Sequence, residues 1–79
     1  MLTNRQKRIL SAVVKEFTDT AVPVGSKHLL KKYDVGLSSA TIRAEMNELE
    51  NAGFLFQPHT SAGRIPTDEG YRYFVEEIM

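Results

Sequence analysis

Cysteine is absent from this 79-residue chain, no apolar run approaches the ~18 residues of a membrane-spanning helix, and ten Lys/Arg cancel ten Asp/Glu. Each absence removes a class of protein. Without cysteine there are no disulfides and no thiolate metal sites. The opening Met1-Leu2-Thr3-Asn4-Arg5-Gln6 lacks the apolar stretch of a secretory signal, and a reducing cytoplasm suits both the missing signal and the missing disulfides. There is no glycine-rich phosphate loop, and the two histidines, His28 and His59, stand far apart, so neither a cofactor nor a metal is expected. Internal repeats and low-complexity segments are also absent.

What is present suits one small globule. Hydrophobic residues make up 42% of the chain, too many for a disordered segment, and 79 residues leave room for a single core. The zero net charge argues against a nucleic-acid partner, but its distribution argues the other way. From Met1 to Tyr33 seven Lys/Arg oppose two acids (+5), Asp34 to Gly53 sums to −3, Phe54 to Pro66 to +1 and Thr67 to Met79 to −3. Segregation of this kind fits a basic side with an acidic far side, and equally fits solvated helix faces.

The periodicity predicts four helices and one hairpin. Thr3 with Gln6 three residues on is a capping-box start, and Ile9, Leu10, Val13, Val14 and Phe17 mark one face of a helix running to about Asp19. Ala21-Val22-Pro23-Val24-Gly25 cannot continue it. Ser26 is placed to cap a short second helix with Leu29, Leu30 and Tyr33 inward, ending near Asp34 to Gly36. Ser38 or Ser39 then caps a third helix with a narrow inward stripe of Ile42, Met46 and Leu49, and Gly53 is placed to end it. Phe54-Leu55-Phe56 reads as a strand, Pro58 to Gly63 as a turn-rich tip and Ile65 as the return strand. Thr67 opens a last helix with Tyr71, Phe74, Val75 and Ile78 on its apolar face. The expected fold is therefore mostly α with a small β-hairpin, a winged helix-turn-helix over residues 1–79 with a three-helix core, a wing and a C-terminal helix. The closing Glu77-Ile78-Met79 falls inside an amphipathic pattern with no terminating glycine or proline, which reads as a fragment of something longer.

The third helix carries groups suited to DNA. Its face away from Ile42 holds Ala40, Thr41, Arg43, Ala44 and Asn47, and no acid before Glu48. Arginine can bind guanine in bidentate fashion, asparagine can do so with adenine, and threonine can donate to a base edge or touch a thymine methyl. Thr41, Arg43 and Asn47 are the candidate base readers. Ser38, Ser39, Ser26 and Lys27 are the candidate phosphate contacts. The stretch QPHTSAGRIP, Gln57 to Pro66, then reads as a wing: Pro58 and Pro66 stiffen it, and small or hydroxylic residues permit close approach to a backbone. His59, Thr60, Ser61 and Arg64 are its candidate contacts, with Arg64 reaching a phosphate or a minor groove, although a lone histidine beside Pro58 is more often a turn residue than a phosphate contact.

The same residues carry a resemblance. The run from Gly36 to Ile78, GLSSATIRAEMNELENAGFLFQPHTSAGRIPTDEGYRYFVEEI, resembles the N-terminal domain of the HrcA family of heat-inducible transcription repressors, and LTNRQKRIL and VPVGSKHLLKKY upstream agree with it. The run S-S-A-T-I-R followed by Q-P-H-T-S-A-G-R-x-P-T is specific, and the resemblance covers essentially the whole chain. Ala44 stands where many members carry asparagine, so that amide's contact is not carried over. The resemblance implies a bacterial cytoplasmic repressor of stress-response genes, associated with the nucleoid when bound. It further implies binding to CIRCE, an inverted-repeat operator upstream of chaperone genes, a homodimer built by a further C-terminal region, and a chaperonin partner. Two other classes stay open. A protein-binding winged helix would show an apolar or acidic outward face on the third helix. An enzyme would need more than Glu45 and Glu48 one turn apart, a spacing usual on solvated helices.

Overall fold

The computed structural model describes residues 1–33 and 35–79. Three helices, α1 (Asn4–Thr20), α2 (Ser26–Lys32) and α3 (Ser39–Asn51), precede two strands, β1 (Leu55–Phe56) and β2 (Ile65–Pro66). A last helix, α4 (Asp68–Tyr73), widens into a π-type turn over Phe74–Ile78. This is the expected winged helix-turn-helix, with α2 and α3 as the helix-turn-helix and the hairpin as the wing. Helix α2 stops at Lys32 with Tyr33 as its cap, slightly before the expected end near Asp34 to Gly36, of which Asp34 lies outside the described residues.

Side chains set most of the helix starts. Thr3 Oγ1 accepts from the Gln6 N–H (3.1 Å) and Gln6 Oε1 accepts from the Thr3 N–H (3.0 Å), a complete capping box. Ser38, rather than Ser39, caps α3 by accepting from the Thr41 N–H. Thr67 caps α4 through the Gly70 N–H. Helix α2 departs from expectation: Gly25 holds the cap position with no side-chain bond, and Ser26 is the first helical residue. The reason lies one residue earlier. Val24 exchanges two backbone hydrogen bonds with Arg64, both 2.8 Å, so the chain enters α2 from an extended bridge that fixes Gly25 in its place. Gly53 ends α3 at φ 90°, with the Phe54 N–H reaching Leu49 O and the Gly53 N–H reaching Glu50 O, the two bonds of a Schellman motif.

The core gathers Ile9, Leu10, Val13 and Val14 of α1, Leu29 of α2, the whole Ile42, Met46 and Leu49 stripe of α3, Leu55 of β1 and Val24. Two expected inward residues face solvent instead. Leu30 is 45% exposed, because α2 is seven residues long and Leu29 already occupies its contact line with α1 and α3. Val75 is 53% exposed, because the widened turn changes the angular phase after Tyr73. Tyr73 takes the inner place, its ring 5.2 Å from that of Phe54. Phe74, expected on the apolar face of the last helix, and Phe54 are half-buried at the edge of the core.

The hairpin pairs Leu55 with Pro66 and Phe56 with Ile65. Pro66 lacks a donor, and the neighbouring ladder bond comes from the Thr67 N–H to Phe54 O at 3.1 Å. The Val24 bridge makes Arg64 part of a miniature third pairing. It ties the wing to the loop before α2.

Among the described residues one carboxylate is buried. Glu16 of α1, 3% exposed, meets three groups on or just after α2: His28 Nε2 at 2.5 Å, Lys32 Nζ at 3.0 Å and the Tyr33 hydroxyl at 3.2 Å. Hydrogen bonds from Lys32 and His28 hold its carboxyl below the ordinary 4.5, against the opposing effect of burial. A lowered folded-state value favours the ionised native form, so this stabilisation is present above pH 4.5 and is lost as pH falls through the folded value. Urea midpoints measured from pH 7 to pH 3 are expected to fall more steeply below pH 4.5 for the native chain than for Glu16→Gln. Parallel curves would remove Glu16 from this role.

Candidate nucleic-acid interface

Three elements converge on one shallow groove. Ser26 and Lys27 come from the first turn of α2, Arg43 from α3, and Thr60, Ser61 and Arg64 from the wing. The start of α2 lies beside Arg43 of α3 across this groove, while the Val24–Arg64 bridge holds the wing to the loop before α2 and the Arg64 side chain holds it to α3. Gln57 shapes the tip: its Nε2 donates to Ala62 O at 2.8 Å and to Thr60 O at 3.1 Å, while the Ala62 N–H reaches His59 O. Thr60 and Ser61 are thereby presented outward, and both are exposed, as is His59.

The remaining candidates lie along α3 itself. Arg43 and Asn47 are exposed, and Thr41 is half-buried in the first turn. The Ser38 hydroxyl donates to Thr41 Oγ1 at 3.0 Å, so the hydroxyl hydrogen of Thr41 remains free for an outside acceptor. Ser38 is exposed and Ser39 half-buried at the helix start, beyond the residues that line the groove. Arg64 is placed differently from the reach expected of a wing-tip arginine. Its side chain turns onto α3, where Nη2 donates to Asn47 Oδ1 at 2.6 Å and Nε lies 2.8 Å from Glu50 Oε1. The Nε–H is not aimed at that oxygen, so the Glu50 contact is a Coulombic pair rather than a formed hydrogen bond.

Electrostatically the groove depends on few charges. Arg5 pairs with Glu45 at 3.4 Å, Lys32 with Glu16 and Arg64 with Glu50, which leaves Lys27 and Arg43 as the cations facing the groove. Lys7, Arg8 and Lys15 line a separate depression on α1 with Tyr33 and Ile78, and Lys31 and Lys32 another, so the +5 of the first segment is spread rather than gathered at the groove. Glu45 also accepts from Gln6 Nε2 at 3.2 Å, which ties α3 to α1, while Glu48 points to solvent.

Sequence reasoning missed Val24, Gln57 and Glu16. Glu16 had a signal, since it stands seven residues after Ile9, at nearly the same angle of the apolar face, where a charged side chain needs a partner. Gln57 and Val24 had none, because their roles depend on which strand edges meet.

No protein-family model matches the chain. It is 58% identical over 78 residues to the heat-inducible transcription repressor HrcA of Thermoanaerobacter sp. (strain X514), with 99% of this chain and 23% of that protein covered. The HrcA proteins of Caldanaerobacter subterraneus (59%, 23% of the protein) and Anabaena sp. (strain L31) (58%, 22%) match over the same 78 residues. A crystal structure of a protein described only as hypothetical superposes with a TM-score of 0.90 at 47% identity, covering 96% of this chain and 24% of that one. The chain thus spans less than a quarter of the length of the curated relatives it matches. Over nearly all of its own length, it matches the N-terminal part of the HrcA heat-inducible transcription repressors.

Proposed function

We propose that residues 1–79 form the DNA-binding domain of a heat-inducible transcription repressor, acting by placing α3 in the major groove of an operator with the wing against the adjacent backbone. The observation that carries this reading is the convergence of Ser26, Lys27, Arg43, Thr60 and Ser61 on one groove beside the exposed face of α3. Small residues at Ala40 and Ala44 let the helix approach closely, and the groove's free cations face outward. The names of the relatives support a repressor. In this reading Thr41, Arg43 and Asn47 meet base edges, Ser26, Lys27, Ser38 and Ser39 meet phosphates, and His59, Thr60 and Ser61 make the wing contact.

On the resemblance to HrcA we propose that the operator is CIRCE, an inverted repeat before chaperone genes, and that the acting form is a cytoplasmic homodimer whose activity a chaperonin maintains. A dyad suits an inverted repeat, because two recognition helices related by a two-fold axis read two half-sites on one face of the duplex. One domain alone then binds weakly, having lost the effective concentration supplied by its partner.

The test is fluorescence anisotropy with a labelled inverted-repeat chaperone operator and a scrambled duplex across a salt series. Tighter operator binding that weakens as salt rises is expected. Equal affinity for both duplexes, or no binding by a folded sample even after dimerisation by an appended coiled coil, would overturn the reading. Within it, Arg43→Ala is expected to cost about 1 to 3 kcal/mol on the operator and much less on the scrambled duplex. Equal losses on the two would assign Arg43 to the backbone.

A further inference from the structure

We propose that Arg64 is a latch that decides which base edge Asn47 can read. The inference rests on Asn47 facing DNA as proposed above. Arg64 joins three parts of the fold: its backbone exchanges two hydrogen bonds with Val24 before α2, it opens the return strand of the wing, and its guanidinium lies on α3. The side chain is 12% exposed, with Nη2 bonded to Asn47 Oδ1 at 2.6 Å and Nε 2.8 Å from the Glu50 carboxylate.

That contact fixes the orientation of the Asn47 amide. Guanidinium nitrogens only donate, so the atom facing Arg64 is the amide oxygen, and the Nδ2 hydrogens point away from the wing. A bidentate adenine contact needs Oδ1 to accept from N6 while Nδ2 donates to N7 of the same base, with both atoms side by side toward it. Arg64 takes one of the two Oδ1 lone pairs and fixes the plane of the Asn47 amide, so unless that plane turns the base meets the two N–H groups of Asn47. Acceptor edges suit it: guanine N7 and O6, or thymine O4. Turning the amide to read adenine would break a charge-assisted hydrogen bond, which is stronger than one between neutral groups. The Glu50 carboxylate, 2.8 Å from Nε, opposes that release by its charge. Arg64 therefore acts on specificity from behind the reading face, through Asn47, rather than by its own contact with DNA.

The test selects duplexes from a randomised library with the native chain, Asn47→Ala and Arg64→Gln, each confirmed folded by circular dichroism. The Asn47→Ala comparison identifies the base pair that Asn47 reads. The native chain is expected to favour guanine or thymine there, and Arg64→Gln to turn the preference toward adenine by about tenfold. An adenine preference in the native chain that disappears in Asn47→Ala overturns the inference, and this comparison stands even if Arg64→Gln does not fold. A folded Arg64→Gln that keeps the native preference overturns it as well. A native chain that enriches no sequence even when dimerised by an appended coiled coil instead removes the DNA-reading function, which the latch's effect on specificity requires. A side-chain amide resonance of Asn47 that does not move between the free native chain and Arg64→Gln or Arg64→Lys contradicts the latch without any DNA.

Discussion

Replacing Gly63 with alanine destabilises the domain by about 3 kcal/mol and loosens the wing from the groove. A Cβ at this position would lie 2.3 Å from both the carbonyl carbon and oxygen of Val24 and 2.7 Å from the Gly25 nitrogen. No flexible side chain can give way, because all three atoms are backbone. Val24 is moreover held by the two 2.8 Å bonds with Arg64, so making room means separating the only pairing between the wing and the loop before α2 seen among the described residues. Overpacking of this kind costs about 1 to 3 kcal/mol, and the two strained hydrogen bonds add about 1 kcal/mol each at most. The urea midpoint should fall with the slope unchanged. Operator affinity per folded molecule should fall too, because Ser26 and Lys27 on one side of the bridge and Thr60 and Ser61 on the other lose their common register. A native-like midpoint would contradict the close approach of the wing.

Gly70→Ala provides a second large effect, with a sign opposite to helix propensity. Alanine in a helix interior is normally more stable than glycine by about 1 kcal/mol. At Gly70 the added Cβ would stand 2.1 Å from the Phe54 carbonyl oxygen, which already accepts the Thr67 N–H at 3.1 Å. Helix α4 is seated on the start of the hairpin through this contact, with the Thr67 hydroxyl also donating to Gly53 O at 2.6 Å. The clash outweighs the propensity gain and leaves a net loss of about 2 kcal/mol. Thermal unfolding of the variant measures it, and a raised melting temperature would show that α4 does not sit so close.

These two glycines mark the limit of what the sequence discloses. The helices were legible because their information is local: Thr3 with Gln6, Ser38 before α3, Thr67 before α4 and Gly53 after α3 each act within a turn of their own position. The narrow stripe of Ile42, Met46 and Leu49 was legible because helical spacing places these residues on one face. Errors arose where one element's geometry depends on another. Leu30 is exposed because α2 offers the core one contact line, and Val75 because the last helix widens, neither of which an ideal period of 3.6 residues reveals. Ser26 lost the cap position to a bridge between Val24 and Arg64, residues forty apart in the chain. The candidate interface followed the same pattern. Its residue types were readable from the sequence, but the orientation of Arg64 onto Asn47 and Glu50 depends on how the wing packs.

The most direct test of the account is a nuclear magnetic resonance titration of the isotope-labelled chain with an inverted-repeat chaperone operator, followed residue by residue. If the start of α2, the exposed face of α3 and the wing form one DNA-binding surface, the amides of Lys27, Thr41, Arg43, Asn47, Thr60 and Ser61 shift together, while those of Lys7, Arg8 and Lys15 on α1 remain in place. The reverse result, with shifts centred on the α1 depression and none along α3, would contradict the central claim.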